Sequence, residues 1–525
     1  MVFGILEPAI ISGERVPGTA LLAELEDPSL GLVNARVASR LKHGKGKNSH
    51  IVLVPQPSDD PNDPLNWSLL VRDGISLMFA FTIMTFAGAI GPLLSPFAFQ
   101  LTLEYNVSFT KVSLLTGWQL LTVAISGLFV SPATRIYGKR PVLLLCSIIG
   151  FAGSVWLPFA TSYNSLLGGR ILQGVGVSAY ESISFAFVAD LYCVHQRGAR
   201  IAFMLAPLGA INILCPLIAG VVAERLGIEW VYKIMAIMTG IALGVVIFCM
   251  PETTFRRDRS PILALLQEDS ASEKLAAAVE KEHASTEPTI PKKRSYASQL
   301  HPFTGRVSSE TWFQATTGPL RVMKNPAVYW SMFTQGAVSA WTVAVSMILS
   351  QVFGVAPYNM SPAGIGYLNV GGIVGGVVAE IVTIGLNDKI VKALAKANGG
   401  IFEPEFRLWS IVPMLVTGVV GFFGFGQAAA AGHSPVVVSM FYGFITASLV
   451  FSHVASGSYM TDAFPECTVE VFIDVMIFKN ILFFVFSLVI NEWIIKEGPA
   501  QVFNTIGGIQ IVVCALSVPL WVLGK

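Results

Sequence analysis

The stretch GGRILQGVGVSAYESI, residues 168–183, puts an arginine and a glutamate inside an apolar run that reaches from about residue 166 to 188. At about 100° per residue, Arg170, Gln173, Gly174, Val177, Ser178 and Glu181 fall on one stripe of a helix. A charge near the bilayer centre costs about 2.5–3.5 kcal/mol on insertion scales, so these groups must point into a protein interior or a water-filled cavity. Two readings are open. In one, a carboxyl on a cavity wall takes up and releases a proton as the cavity is wetted, the chemistry a proton-coupled carrier needs. In the other, the polar groups only fix helix packing. Arg170 and Glu181 stand roughly 16 Å apart along such a helix and cannot neutralise each other directly. Lys479, with Asn480 beside it, also lies in an apolar run and needs a partner or a cavity. Asn212 either faces the substrate or makes an interhelical hydrogen bond.

The elements that carry these groups are membrane spans. Of 525 residues, 53% are hydrophobic and only 13% charged, and the mean hydropathy is +0.64. That is far too apolar for a soluble protein of this length and identifies a polytopic membrane protein. Twelve apolar runs lie near 74–98, 112–132, 141–161, 165–190, 201–223, 229–250, 327–353, 363–386, 409–430, 434–460, 471–494 and 500–523. The expected fold is all-α, with twelve transmembrane helices in two six-helix bundles. The boundaries read 1–71 for a tail, 72–250 and 327–525 for the bundles, and 251–326 for a charged central connection. Within that connection PILALLQEDSASEKLAAAVEKE reads as a tether, or as a helix along the membrane surface. Most of the 34 Lys and Arg fall in the tail, the even-to-odd loops or the C-terminus, so both termini are expected in the cytoplasm. Lys233, like Arg170 and Lys479, falls within a span. Asn106 (NVS) and Asn359 (NMS) then become external glycosylation sequons, each too close to a span to be modified efficiently.

Several function classes are excluded. A net charge of +1 with no basic–aromatic patch argues against nucleic acid. No GxxxxGK[ST], HExxH or GxSxG is present, which disfavours an ATP-driven pump or a membrane enzyme. The six cysteines have no CxxC or metal-ligand spacing and read as free thiols; no metal or other cofactor is expected. His453 is isolated in the tenth run. No cleaved signal peptide is expected. NVGGIVGG, residues 369–376, lies inside a span and reads as a packing face, not a phosphate loop.

Against that background DPNDPLNWS, RILQGVG, ADLYCVHQRGAR, EPEFRLW and EVFIDVMIFKN occur in order, and the chain resembles the major facilitator superfamily over residues 60–525. Within it the chain resembles the fungal drug:proton antiporter type, the branch with polyamine, drug and secondary-metabolite transporters. The resemblance implies that Arg170 faces the cavity and takes part in proton coupling, and that Glu181, following the aromatic Tyr180, carries the proton. SPATRIYGKRP, residues 131–141, reads as the loop between the second and third spans. Its Gly138, Lys139 and Arg140 match the family's turn, but Arg135 occupies the position of an acid that latches the two halves. Asp190 and Arg197 are the expected substitutes. Asp462, Glu470 and Asp474 are expected at the cytoplasmic ends of spans ten and eleven, Glu470 and Asp474 guarding the inner mouth or pairing with Arg140 and Arg197. GAINILCPLIAG, residues 209–220, resembles an antiporter signature in part, with Pro216 and Gly220 kept but Cys215 and Ala219 in place of glycines; it favours export. Trp118, Tyr180, Phe185, Trp341 and Tyr459 line a cavity or belong to the core. The implied function is proton-coupled export of a small organic molecule across the plasma membrane by a monomer. Uptake of a cationic nutrient such as a polyamine is the alternative.

Overall fold

The computed structural model describes residues 55–255, 293–303, 305–464 and 467–523, with short pieces at 10–11, 14–15, 20–21, 42 and 53. The side chains of 194–195, 197–199, 201–202 and 205–206, that of Arg197 among them, lie outside this description, as does the 261–282 stretch of the central connection.

Backbone N–H and C=O groups find no partner in hydrocarbon, so each apolar run closes its own hydrogen bonds as a helix. Among the described residues, eleven helices are long and apolar enough to cross a membrane. The first ten spans are Leu69–Ala89, Phe109–Tyr137, Lys139–Phe159, Tyr163–Leu191, Pro207–Leu226, Ile228–Cys249, Pro326–Phe353, Pro362–Ala397, Pro404–Ala430 and Pro435–Ala463. The last helix runs over 55 residues, Thr468–Val522. At about 1.5 Å per residue it is far longer than a core of about 30 Å requires. Gly498 breaks it with φ 78° and ψ 164° just before Pro499. It therefore supplies the eleventh and twelfth spans, joined without a loop. Two-residue strands pair Ala20–Leu21 with Ile401–Phe402 and Ile10–Ile11 with Glu14–Arg15, and the remaining regular structure among the described residues is helical.

Two departures from the sequence reading have local causes. The first span starts at Leu69, a turn early, because its charged residues have partners: Arg72 donates to the Leu191 carbonyl and Asp73 accepts from the Tyr192 hydroxyl. The segment SPATRIYGKRP is helix, not loop: the second span runs to Tyr137 and the third starts at Lys139. Only Gly138 turns, at φ 92°, a backbone angle that L side chains rarely adopt. A Cβ there would also meet the Glu252 carboxylate at 2.4 Å. That carboxylate caps the third span by accepting from the Lys139 and Arg140 amides, both at 3.1 Å.

One buried core joins spans one to six and a second joins spans seven to twelve, with Ile473 and Met476 of the eleventh span reaching into the first. The face that carries Gly138 and the central connection is called the tail face, and the opposite one the far face. At the far face the halves are knit together. Ser95 Oγ donates to the Ser346 carbonyl and the Phe99 amide to Ser350 Oγ. The Ala363 amide reaches Glu224 at 3.1 Å, and Asn491 Nδ2 reaches Ser113 Oγ at 2.9 Å. Spans five and eight cross closely there, since a Cβ on Gly220 would meet the Pro362 carbonyl at 2.4 Å. Pro216 stays within a continuous fifth-span helix, its carbonyl lying under Gly366.

Candidate functional site

Arg170 is fully buried, and its surroundings follow from a defect in the first span. After a π-helical turn over Met84–Ala89, the chain tightens into a 3₁₀ segment at Pro92–Phe97. The guanidinium donates to the carbonyls at this break, Ile90 at 2.8 Å and Gly91 at 3.3 Å. It also donates to Thr116, Gln119 and Gln173. Gln173 in turn donates to Ser154 Oγ at 3.0 Å. Arg170 and Gln173 thus face the interior of the first half, where the fan of guanidinium donors satisfies irregular backbone. On this continuous helix they keep Glu181's stripe but meet other neighbours, so Arg170 does not face the cavity as the resemblance implies.

Glu181 faces the other half. Its carboxylate accepts from Lys479 Nζ at 2.9 Å and from Asn480 Nδ2 at 3.1 Å, so three of the expected cavity residues meet across the two halves. Lys479 is 30% exposed and Glu181 14%, although Ser95 and Ser350 at the sealed far face are wholly buried. The pair is thus less tightly enclosed than the far-face contacts. His453, exposed and close enough to Lys479 to feel its charge, shares a 3.0 Å hydrogen bond with Ser339. Asn212 is exposed and back-bonds to the Leu208 carbonyl. It lies on the strip of the fifth span between Leu208, which packs toward Gly88, and Ile213, which packs toward Gly376.

The tail-face charges pair differently from expectation. Arg135, standing where the family has an acid, pairs with Glu470 across the halves, and the Phe185 and Phe472 rings stack across the same boundary at 4.1 Å. Glu470 therefore meets Arg135 and not Arg140. Arg140 turns into its own half and donates to the carbonyls of Val246, Ile247, Met250 and Leu300. Lys139 pairs with Asp190 of the same half. Asp462 holds Arg407 of the ninth span at 2.8 Å. Lys233 pairs with Glu229 one turn away.

Tyr180, Trp341 and Tyr459 are core residues, stacked or edge-on to Phe86, Phe486 and Trp330, whereas Trp118 meets Phe484 across the halves. Gly371, Gly372 and Gly375 of NVGGIVGG pack on the tenth span, with a Cβ on Gly375 landing 2.0 Å from the Gly443 carbonyl. Asn106 and Asn359 adopt left-handed backbone at far-face turns. Sequence reasoning missed the Glu252 cap and the Asn491–Ser113 bond, which have no motif. It also missed Glu380, a half-buried carboxyl in the eighth span without an ion pair or hydrogen bond to the described residues. Its signal was legible: a lone acid in VGGVVAEIVTIGL.

Two helical halves, joined by an ion pair between the fourth and eleventh spans, have the layout of a secondary transporter and not of an enzyme. The Major Facilitator Superfamily model matches residues 75–519, and the chain belongs to that superfamily. The chain is 27% identical to an uncharacterized MFS-type transporter of Schizosaccharomyces pombe, covering 98% of this chain and 92% of that protein. It is 24% identical to the efflux pump vrtL of Penicillium aethiopicum, over 71% of this chain and 70% of that one. Among solved structures, the xylose transporter XylE from E. coli, in a partially occluded inward open conformation, superposes with a TM-score of 0.57 at 13% identity. That match covers 86% of this chain and 99% of the other, and it concerns the fold alone.

Proposed function

We propose that the protein exports a small organic molecule, such as a secondary metabolite, toxin or drug, across the plasma membrane in exchange for protons, with the tail face in the cytoplasm. The observation that carries this reading is the contact of Glu181 with Lys479 and Asn480. As a carboxylate, Glu181 ties the fourth span to the eleventh. Once it takes a proton it loses its charge and the attraction for Lys479, so one proton weakens one bridge between the halves. Lys479, freed, is available to a substrate. Export draws support from the likeness to an efflux pump and from the partial antiporter signature, whose Gly220 sits at the crossing of the halves. Glu380, without an ion pair among the described residues, favours a second reading, uptake of a cationic nutrient such as a polyamine. The test is to load vesicles containing the purified protein with a proton gradient and add compounds from an amine, a neutral and an acidic panel. A transported compound should discharge the gradient in proportion to its flux. Transport indifferent to the gradient contradicts the proposal, and discharge only by amines moving with the proton favours the second reading.

A further inference from the structure

Asp474 lies one helical turn from Glu470 in the eleventh span. It is 4% exposed, and its Oδ2 is buried without a hydrogen-bond partner. Glu470, which pairs with Arg135, is its charged electrostatic neighbour. Among the described residues, Glu181 is engaged with Lys479 and His453 with Ser339, while Arg321 of the helix Trp312–Val322 is exposed. On the tail side, Gly318 of the helix Trp312–Val322 packs over Arg135 and Glu470, a Cβ there lying 3.4 Å from the Arg135 guanidinium.

An ionised carboxylate with a bare oxygen and an anionic neighbour one turn away is strongly disfavoured in such a place, whereas the neutral acid is tolerated. We propose that Asp474 is a second proton-binding group of this carrier, loaded while the Arg135–Glu470 latch is closed, and that its release of the proton opens the latch. The step is balanced simply. The proton leaves the Asp474 carboxyl for water at the tail face, and the anion left behind must be hydrated. Parting of the ends of the second and eleventh spans admits that water to the buried Oδ2. By linkage, acid favours the closed latch and alkali the open one. The inference deepens the proton-coupled reading but stands apart from Glu181.

The test needs neither substrate nor gradient. Spin labels on the tail-face ends of spans two and eleven, in full-length protein in lipid nanodiscs, report their separation as pH is varied. The wild type should pass from a short to a long distance as pH rises, the closed-to-open ratio falling at most about tenfold per pH unit, as for one proton. Asp474→Asn mimics the loaded acid and should stay short at every pH. If that variant does not accumulate, Asp474→Ser serves in its place. Infrared spectra should show a protonated-carboxyl band in the wild type at neutral pH that the variant lacks. Glu181→Gln should keep the pH-dependent distance, which separates failure of this inference from failure of the Glu181 reading. A pH-independent distance in the wild type, a wild-type response in Asp474→Asn, or an infrared band that survives the substitution overturns it.

Discussion

Two polar residues eleven positions apart on one helix have different tasks. Arg170 holds the broken backbone of the first span, and Glu181 holds the other half of the protein. Arg170→Ala would strand the Ile90 and Gly91 carbonyls and the Gln119 amide oxygen in a dry interior, at roughly 1–3 kcal/mol for each group left unpaired. The melting temperature of the purified protein should fall by several degrees or more. Arg170→Lys, which keeps the charge without the planar fork, should recover only part of it. Unchanged melting in Arg170→Ala would mean that the residue serves coupling alone. Periodicity placed Arg170 and Glu181 on one stripe but could not show which neighbour faced which end of it. The break at Ile90–Gly91 that captures Arg170 belongs to another span and leaves no trace in the fourth.

At the scale of helices, the fifth and eighth spans cross where Gly220 and Gly366 let backbones touch. Gly220→Leu should insert and fold in each half yet hold the far face apart. A cysteine placed at Ser113, now 4% exposed, should then react with a membrane-impermeant maleimide from the far side, several-fold faster than in the Gly220 background. Equal labelling would show that the crossing does not seal that face. The twelve runs were legible because hydrocarbon leaves a chain few choices besides a long apolar helix. Helix ends were less so. Residues 131–137 look like a loop for their proline and arginine, but Pro132 is accommodated within the second span and Arg135 has a partner 335 positions away. The same distance in sequence hid the latch: the missing acid is supplied from the other half, with the signs of the pair reversed relative to the family pattern.

For the whole molecule, contacts between the halves close the far face and the Arg135–Glu470 latch closes the tail face, with the Glu181–Lys479 pair between them, one state of an alternating carrier. The positive-inside pattern of the sequence predicts that both termini lie in the cytoplasm with the tail face. Tags at either end should be inaccessible to antibody until cells are permeabilised, and labelling of intact cells would invert the orientation and the direction of export with it. The substrate was not legible, because the groups that would hold it come from spans scattered along the chain. The central claim is that the proton which drives transport sits on Glu181 and works by releasing Lys479. Glu181→Gln keeps the shape and hydrogen-bonding capacity of the side chain and removes its titration. The decisive measurement is pH-gradient-driven flux in reconstituted vesicles, with wild type and Glu181→Gln at matched protein levels. Uphill transport should vanish in the variant while gradient-free exchange of substrate persists; full gradient-driven flux in Glu181→Gln would contradict the account.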